Sequence, residues 1–263
     1  VNAEIGDYDH IHVENDGPLT VITINRPEAR NALNFAAHCE LEKAFDAFAA
    51  DDAQWVAIIT GAGDKAFCAG QDLKQSFSGD GIPFPKSGFG GLTSRRGLNK
   101  PIIAAVNGVA MGGGFEIALA CDLVVAHEAA MFALPEVRVG LAAVAGGLHR
   151  LPREIGRQRA MGMLLTGRRV SAREGQAMGF VNEVVAEDVL GAAKALAAEV
   201  LACSPMSIRA TKEAVNLGLE VSLEEAMRAQ MDYPALQQMF KSEDAVEGPA
   251  AFAAKRAPNW KGR

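Results

Sequence analysis

At 263 residues, 49% of them apolar, and with a net charge of -6, the chain can bury a sizeable core as one large domain or a domain with an appendage. The acidic balance argues against bulk nucleic-acid binding, and no apolar run approaches the roughly 18 to 20 residues of a membrane span. The four cysteines, at 39, 68, 121 and 203, lie far apart with no C-x-x-C pair, so neither a disulfide framework nor a zinc knuckle is expected.

The chain opens on an acidic, polar stretch, Val1-Asn-Ala-Glu-Ile-Gly-Asp7, unlike the basic and apolar regions of a secretory signal, and a cytoplasmic location is expected. Ile11-His-Val-Glu14 and Leu19-Thr-Val-Ile-Thr-Ile24 flank the turn cluster Asn15-Asp-Gly-Pro18 and predict a hairpin. His10 and His12 share strand spacing, but no third ligand stands nearby, so solvated strand residues are expected there and no metal. Leu41, Phe45 and Phe48, with charges opposite, predict an amphipathic helix to about residue 50, with His38 as a packing residue on its apolar stripe. Trp55-Val-Ala-Ile-Ile-Thr60 reads as the next strand. Gly61-Ala-Gly-Asp-Lys-Ala66 then matches the dinucleotide pattern G-x-G-x-x-A. That pattern needs a helix at once, and Phe67-Cys-Ala-Gly-Gln-Asp72 leaves little room for one, so no nicotinamide cofactor is expected. Residues 75 to 97, rich in Gly, Pro and Ser with phenylalanines between, have the composition of a long mobile loop of the kind that serves as a lid.

Pro101 to Val106 reads as a buried strand, broken by Asn107-Gly108, and Gly112, Gly113 and Gly114 lead into a helix start at Phe115-Glu116. Glycines at a helix N-terminus let a ligand oxygen approach the main chain, where unsatisfied N–H groups and the helix dipole favour negative charge. Glu116 is an acid inside an otherwise apolar segment, where a carboxylate is rare unless paired or used. A tight packing turn with a surface or ion-paired glutamate is the plainer alternative. Short strands at Asp122 to Ala126 and Ala130 to Leu134 precede Pro135 and Glu136. Glu136 lies 20 residues after Glu116, too far for one helix face, although two short strands and their turns could return the chain. Helical patterns dominate after Glu154, with capping-box spacing at Ser171/Glu174 and Ser222/Glu225. The arginines between 153 and 173 read as a solvated helix face. A strand-turn-helix body, 1–190, is thus followed by a mainly helical region, 191–263.

Four motifs in order, Asn25-Arg-Pro-Glu-Ala-Arg-Asn-Ala-Leu-Asn34, Ala66-Phe-Cys-Ala-Gly-Gln-Asp-Leu73, Ile103 to Glu116, and Phe132-Ala-Leu-Pro-Glu136, resemble the enoyl-CoA hydratase/isomerase (crotonase) superfamily over almost the whole chain. Gly91-Leu-Thr93 and the endings Ser242 to Pro249 and Trp260-Lys-Gly-Arg263 look most like its carnitinyl-CoA dehydratase branch. The resemblance implies an α/β fold, a crotonase-like spiral of β-β-α units with a C-terminal helical trimerisation region, assembled as a homotrimer or a dimer of trimers.

It further implies that the N–H groups of Ala69 and Gly113 form an oxyanion hole for a thioester carbonyl. Glu116 and Glu136 correspond to the paired acids that add water across a 2-enoyl thioester, one supplying a base and one an acid. Mutual repulsion and desolvation are expected to raise at least one of their pKa values. The substrate segment carries over to Ala29, Cys68 and Gly70, and to Gln71, Asp72 and Leu73. Arg26 would pair with CoA phosphates, joined by Lys255 and the adenine-facing Phe252 from an adjacent subunit. CoA arrives as part of the substrate, and no further cofactor or metal is implied. One position departs from the branch: Val144 stands where it tends to have Asp, which points to an uncharged acyl chain. The expected activity is enoyl-CoA hydration. Carnitinyl-CoA dehydration, isomerisation or hydrolysis in the same hole, and a catalytically silent CoA-thioester binder, are the alternatives.

Overall fold

The computed structural model describes residues 3–4, 8–72 and 84–263. Two compact units are present: residues 1–96 with 102–196, and Gly97–Pro101 with Ala197–Arg263. The boundary expected after residue 190 therefore falls inside a helix a few residues later, and the short segment Gly97–Pro101 groups with the C-terminal helices. Lys212 Nζ donates to the Lys100 carbonyl at 2.9 Å, and Asn99 Nδ2 to Glu213 at 3.1 Å.

In the larger unit the strands are β1 (Ala3–Glu4), β2 (Ile11–Asp16), β3 (Leu19–Ile24), β4 (Val56–Gly61), β5 (Ala66–Cys68), β6 (Ile102–Val106), β7 (Val109–Met111), β8 (Leu123–His127), β9 (Met131–Ala133), β10 (Val170–Ser171) and β11 (Glu183–Val185). Among the described residues, seven form one sheet in the order β1-β2-β3-β4-β6-β8-β11, and four form a second in the order β10-β9-β7-β5. From β4 onward the chain alternates between the two sheets: β4, β6 and β8 pair in parallel in the first, while β5, β7 and β9 pair in parallel in the second. This is the expected spiral. The predicted hairpin is β2 with β3, paired from Ile11↔Ile24 to Asp16↔Leu19. Strands β4 and β6 are buried at every position, which their unbroken apolar runs require of parallel strands covered on both faces. The G-x-G-x-x-A segment runs into strand β5 rather than a helix, so its context is not that of a dinucleotide fold.

Polar side chains fix the turns that carry the chain from one sheet to the other. Asn107 Nδ2 donates to the carbonyls of Gly61 and Gly63 at 2.8 and 2.7 Å. Asn31, in the left-handed region at φ 56°, accepts from Arg26 N–H and donates to the carbonyls of Ala62 and Ala66 at 3.0 and 2.7 Å. Helix α1 (Phe35–Ala50) begins where the Asn34 side chain accepts from Ala37 N–H, a cap that satisfies one of the open donors of the first turn. Its buried face holds His38, Leu41, Phe45 and Phe48. Helix α2 (Gly113–Ala120) follows β7 directly. Further helices are α3 (Gly147–Ile155), α4 (Arg157–Thr166), α5 (Ala172–Met178) and α6 (Val189–Leu201), the last holding the unit boundary.

The expectation of one long mobile lid over residues 75 to 97 is corrected for its second half, the first lying partly outside the described residues. Phe89, Leu92 and Thr93 are buried, and Arg95 is tied to the Gly91 and Glu42 carbonyls and to Asp46 of α1. Gly88, Gly90 and Gly91 have positive φ, and a Cβ on Gly91 would stand 2.4 Å from Glu42 N. Glycines read as flexibility in fact allow close approach, Gly91 to α1, Gly90 to Ile117 and Gly88 to Ser94 of the same loop.

The smaller unit holds α7 (Pro205–Gly218), α8 (Leu223–Ala229), α9 (Pro234–Lys241) and α10 (Glu243–Ala253). The predicted capping residues act as such: Ser171 accepts from Glu174 N–H at α5, and Ser222 from Glu225 N–H at α8. Buried Asp244 binds the C-terminal tail back to α10, accepting from Lys261 N–H at 2.7 Å and from Ser204 Oγ at 2.9 Å. Among the described residues no single helix is long and apolar enough to cross a membrane.

Candidate active site

The site lies in the larger unit, where the second sheet delivers two chain segments to one point. Strand β7 runs into the glycine turn and α2; parallel to it, β9 runs into Pro135 and a 3-10 turn, Glu136–Val139. Met111 pairs with Ala133, and Gly112 N–H donates to the Ala133 carbonyl at 2.9 Å. Side-by-side strands thus bring Glu116, in the first turn of α2, to Glu136 despite 20 intervening positions. The approach needs glycine: Gly112 sits at φ 54° and ψ -127°, and a Cβ there would lie 2.9 Å from Glu136 Oε1.

Glu116 is buried and Glu136 half-buried. Glu116 is 3% exposed, and its Oε1 accepts from Gly147 N–H at 2.9 Å. Burial pushes its carboxyl up to about 7; the Glu136 charge adds to the rise, while N–H groups of Gly147 and Ala145 and the Arg150 charge oppose it. Glu136 is also raised, chiefly by burial. Its Oε2 is buried and, among the described residues, makes no hydrogen bond, an uncommon condition for a buried polar atom. Two neighbouring carboxyls that both resist ionisation retain a proton near neutral pH, so the pair can supply an acid and a base together.

The backbone beside them departs from expectation at one donor. Ala69 N–H donates to the Arg30 carbonyl at 3.1 Å, so it is engaged within the loop and does not face a ligand. Leu33 then pairs in parallel with Gln71, through Leu33 N–H to the Gly70 carbonyl and Asp72 N–H to the Leu33 carbonyl, each at 2.8 Å. Because donors alternate along an extended segment, the Gln71 N–H faces the edge opposite Leu33. Gly70, at φ 93°, brings this segment against α2: a Cβ on it would stand 2.8 Å from the Met111 carbonyl and 3.4 Å from Gly113 N. A Cβ on Gly114 would stand 2.0 Å from the Cys68 carbonyl. Gly113 N–H, in the first turn of α2, makes no hydrogen bond among the described residues.

Other expected site residues separate into those that frame this place and those elsewhere. Cys68 is fully buried, and burial pushes its thiol up to about 12, so it is a protonated packing residue. Arg26 corrects the phosphate assignment: it is buried, pairs with Asp72 Oδ2 at 3.1 Å and donates to the Ala32 carbonyl. Its guanidinium closes the 26–34 loop onto the 69–72 segment. Ala29, half-buried, ends an otherwise exposed 3-10 turn, Pro27–Ala29. Leu73 lies outside the described residues. Phe252, 88% exposed, and exposed Lys255 belong to the smaller unit. His149 is exposed. His10 and His12 are bonded to Glu40 and Glu14 at 3.0 Å.

Sequence reasoning missed three participants. Gly147 N–H binds Glu116, Arg150 lends it positive potential while anchored on the Thr93 carbonyl at 2.9 Å, and His38 bonds Gln71. The basic run legible in the sequence begins at Arg153, after Arg150, and nothing singled Arg150 out. For His38, a histidine on a buried stripe was the available signal.

This fold, with its glycine-built helix start and paired acids, is that of a known class: the chain belongs to the enoyl-CoA hydratase/isomerase family, whose description matches residues 14–263. It is similar to the carnitinyl-CoA dehydratases of Proteus mirabilis and Salmonella typhi, at 41% and 43% identity over 261 residues, covering 96% of this chain and 98% of each relative. Among solved structures it resembles the enoyl-CoA hydratase of Mycobacterium tuberculosis H37Rv, with a TM-score of 0.87 and 40% identity over 97% of this chain and 99% of that one.

Proposed function

We propose that the chain catalyses reversible syn hydration of a 2-enoyl-CoA thioester to its 3-hydroxyacyl counterpart. The observation that carries this is the glutamate pair: a buried and a half-buried carboxyl, both with raised pKa values, one oxygen of which, Glu136 Oε2, is buried and makes no hydrogen bond among the described residues. The ionised member takes a proton from water as its oxygen adds to Cβ, and the protonated member delivers one to Cα. Both act from one side of the double bond, which makes the addition syn. The thioester carbonyl lies at the start of α2, with Gly113 N–H and Gln71 N–H as donors in place of the Ala69 and Gly113 pair. Each donor of such a hole contributes about 10² to 10³ in rate. The scheme needs no cofactor beyond the CoA that the substrate carries, and no metal.

The acyl side is apolar. Val137, Val139, Leu141, Val144 and Leu148 are exposed within the segment that joins Glu136 to Gly147, which fits an uncharged chain. Dehydration of a trimethylammonium-bearing carnitinyl thioester is the second reading, favoured by the names of the Proteus and Salmonella relatives. Phe252 and Lys255 receive the nucleotide end of CoA from an adjacent subunit of a homotrimer, alone or doubled.

The test follows the loss of conjugated enoyl-thioester absorbance across straight-chain enoyl-CoA substrates and crotonobetainyl-CoA, with assembly state measured by light scattering. Turnover of uncharged chains is expected. Turnover of crotonobetainyl-CoA alone establishes the second reading; tight CoA binding without turnover of any substrate establishes a silent binder.

A further inference from the structure

His38 is fully buried, yet both of its ring nitrogens are engaged. Gly90 N–H donates to Nδ1 at 2.9 Å, which makes Nδ1 an acceptor and places the ring proton on Nε2. Nε2–H then donates to Gln71 Oε1 at 3.0 Å. Phe84 and Phe89 flank the ring, with centroids 5.3 and 4.5 Å away. Phe89 in turn closes on the start of α2: a Cβ on Gly113 would stand 2.3 Å from Phe89 Cζ. Gly90 backs onto Ile117 of the same helix, where a Cβ would stand 2.6 Å from Ile117 Cδ1. From one point on α1, the imidazole therefore reaches both segments that meet at the thioester, Gly70–Gln71 through a hydrogen bond and Gly113 through Phe89 and Gly90.

We propose that His38 is a positioning residue that sets the spacing between the Gln71 and Gly113 backbones and so the polarisation of the thioester carbonyl. This rests on the reading of those two segments as the oxyanion site. A leucine would fill the same stripe without burying two polar atoms, whereas a donor and an acceptor on one rigid ring fix the distance between their partners. Burial pushes the His38 pKa down, which keeps the neutral tautomer that both hydrogen bonds require; a proton on Nδ1 would face the Gly90 N–H. Small displacements at a reacting centre carry large kinetic penalties, up to about 10²-fold for 1 Å.

The experiment compares His38→Leu, His38→Gln, Gln71→Leu and the His38→Leu/Gln71→Leu double variant with the wild type. It reads kcat and KM for enoyl-CoA hydration, and the red shift of a bound arylacryloyl-CoA, whose absorption reports carbonyl polarisation whether or not turnover occurs. His38→Leu is expected to lower kcat about tenfold and to shrink the red shift, with KM within about twofold. His38→Gln, which can still reach Gln71, retains more of both. The double variant falls no further than His38→Leu, because the two residues act through one contact. Wild-type kcat and red shift in folded His38→Leu, or multiplicative losses in the double variant, would overturn the proposal. If His38→Leu does not fold, Gln71→Leu at its half-exposed position decides, and an unchanged red shift there refutes it. A wild type that reddens the thioester but hydrates nothing fails the hydration reading alone, and the red shift still tests His38.

Discussion

Replacing Glu116 with Gln should make the protein less active and, at alkaline pH, more stable. The folded state raises this carboxyl from an ordinary 4.5 to about 7, so between those values it holds a proton that the unfolded chain releases. Stability then falls as pH rises through this window, because the native state binds more protons than the unfolded one. The contribution is intact below about pH 4.5 and lost above about 7. Ionising the buried group costs the folded state about 3 kcal/mol, an upper figure because Glu136 shares the proton. A glutamine avoids this cost and keeps a carboxamide oxygen for the Gly147 N–H. Denaturant unfolding should therefore show Glu116→Gln about 1 to 3 kcal/mol more stable than wild type near pH 8.5, with little difference near pH 5, while hydration falls about 10² to 10⁴-fold. A stability difference that does not change between the two pH values would refute the burial argument, and wild-type turnover in the variant would refute the paired-acid assignment.

Other perturbations address the parts separately. Gly112→Ala places a Cβ 2.9 Å from Glu136 Oε1 at a φ of +54°; hydration should fall about 10²-fold at a stability cost of about 1 kcal/mol, read by kinetics and urea melts. Gly114→Ala meets the Cys68 carbonyl at 2.0 Å, a backbone atom that cannot yield, and should cost about 2 kcal/mol or more in the same melts. Val144→Asp should improve kcat/KM for a cationic acyl thioester by about tenfold and weaken it for an uncharged one, an assay of the acyl-chain reading. Asp244→Ala removes the acceptor for Lys261 N–H and Ser204 Oγ; limited proteolysis should release the tail after α10 at a local cost of about 2 kcal/mol.

Periodicity and turn chemistry made much of the scaffold legible. The Asn15 to Pro18 cluster yielded its hairpin, Ser171 and Ser222 cap as their spacing predicts, and Gly112 to Gly114 open a helix. What failed was composition taken as a guide to motion or exposure. A Cβ on Gly91 would strike α1, one on Gly90 would strike α2 and one on Gly88 would strike Ser94 of its own loop, so these three mark contact rather than freedom. Arg26 sits at a strand end, where solvent is the default for a guanidinium, but Asp72 is 46 positions away and its closure on Arg26 needs the whole 26–72 segment folded. Still longer separations, 112 and 114 positions, hid the Gly97–Pro101 grouping with the helices that follow residue 197.

The paired acids and the paired donors differ in why they resist reading. A glutamate in an apolar run announces itself, because a lone buried carboxylate is costly and its presence asks for a partner. Only the meeting of Glu116 with Glu136 had to wait for the register of β7 on β9, which sets Met111 opposite Ala133. A backbone N–H carries no such mark: every residue but proline has one, and its direction is settled by the acceptor opposite. Ala69 and Gln71 are two positions apart and would face the same edge of a regular strand. Between them Gly70, at φ 93°, turns the peptide, so that Ala69 points at Arg30 and Gln71 away from Leu33. On the proposed hydration reading the site depends on that single glycine at least as directly as on either acid, since moving the turn by one residue would present a different N–H to the start of α2 with every side chain unchanged.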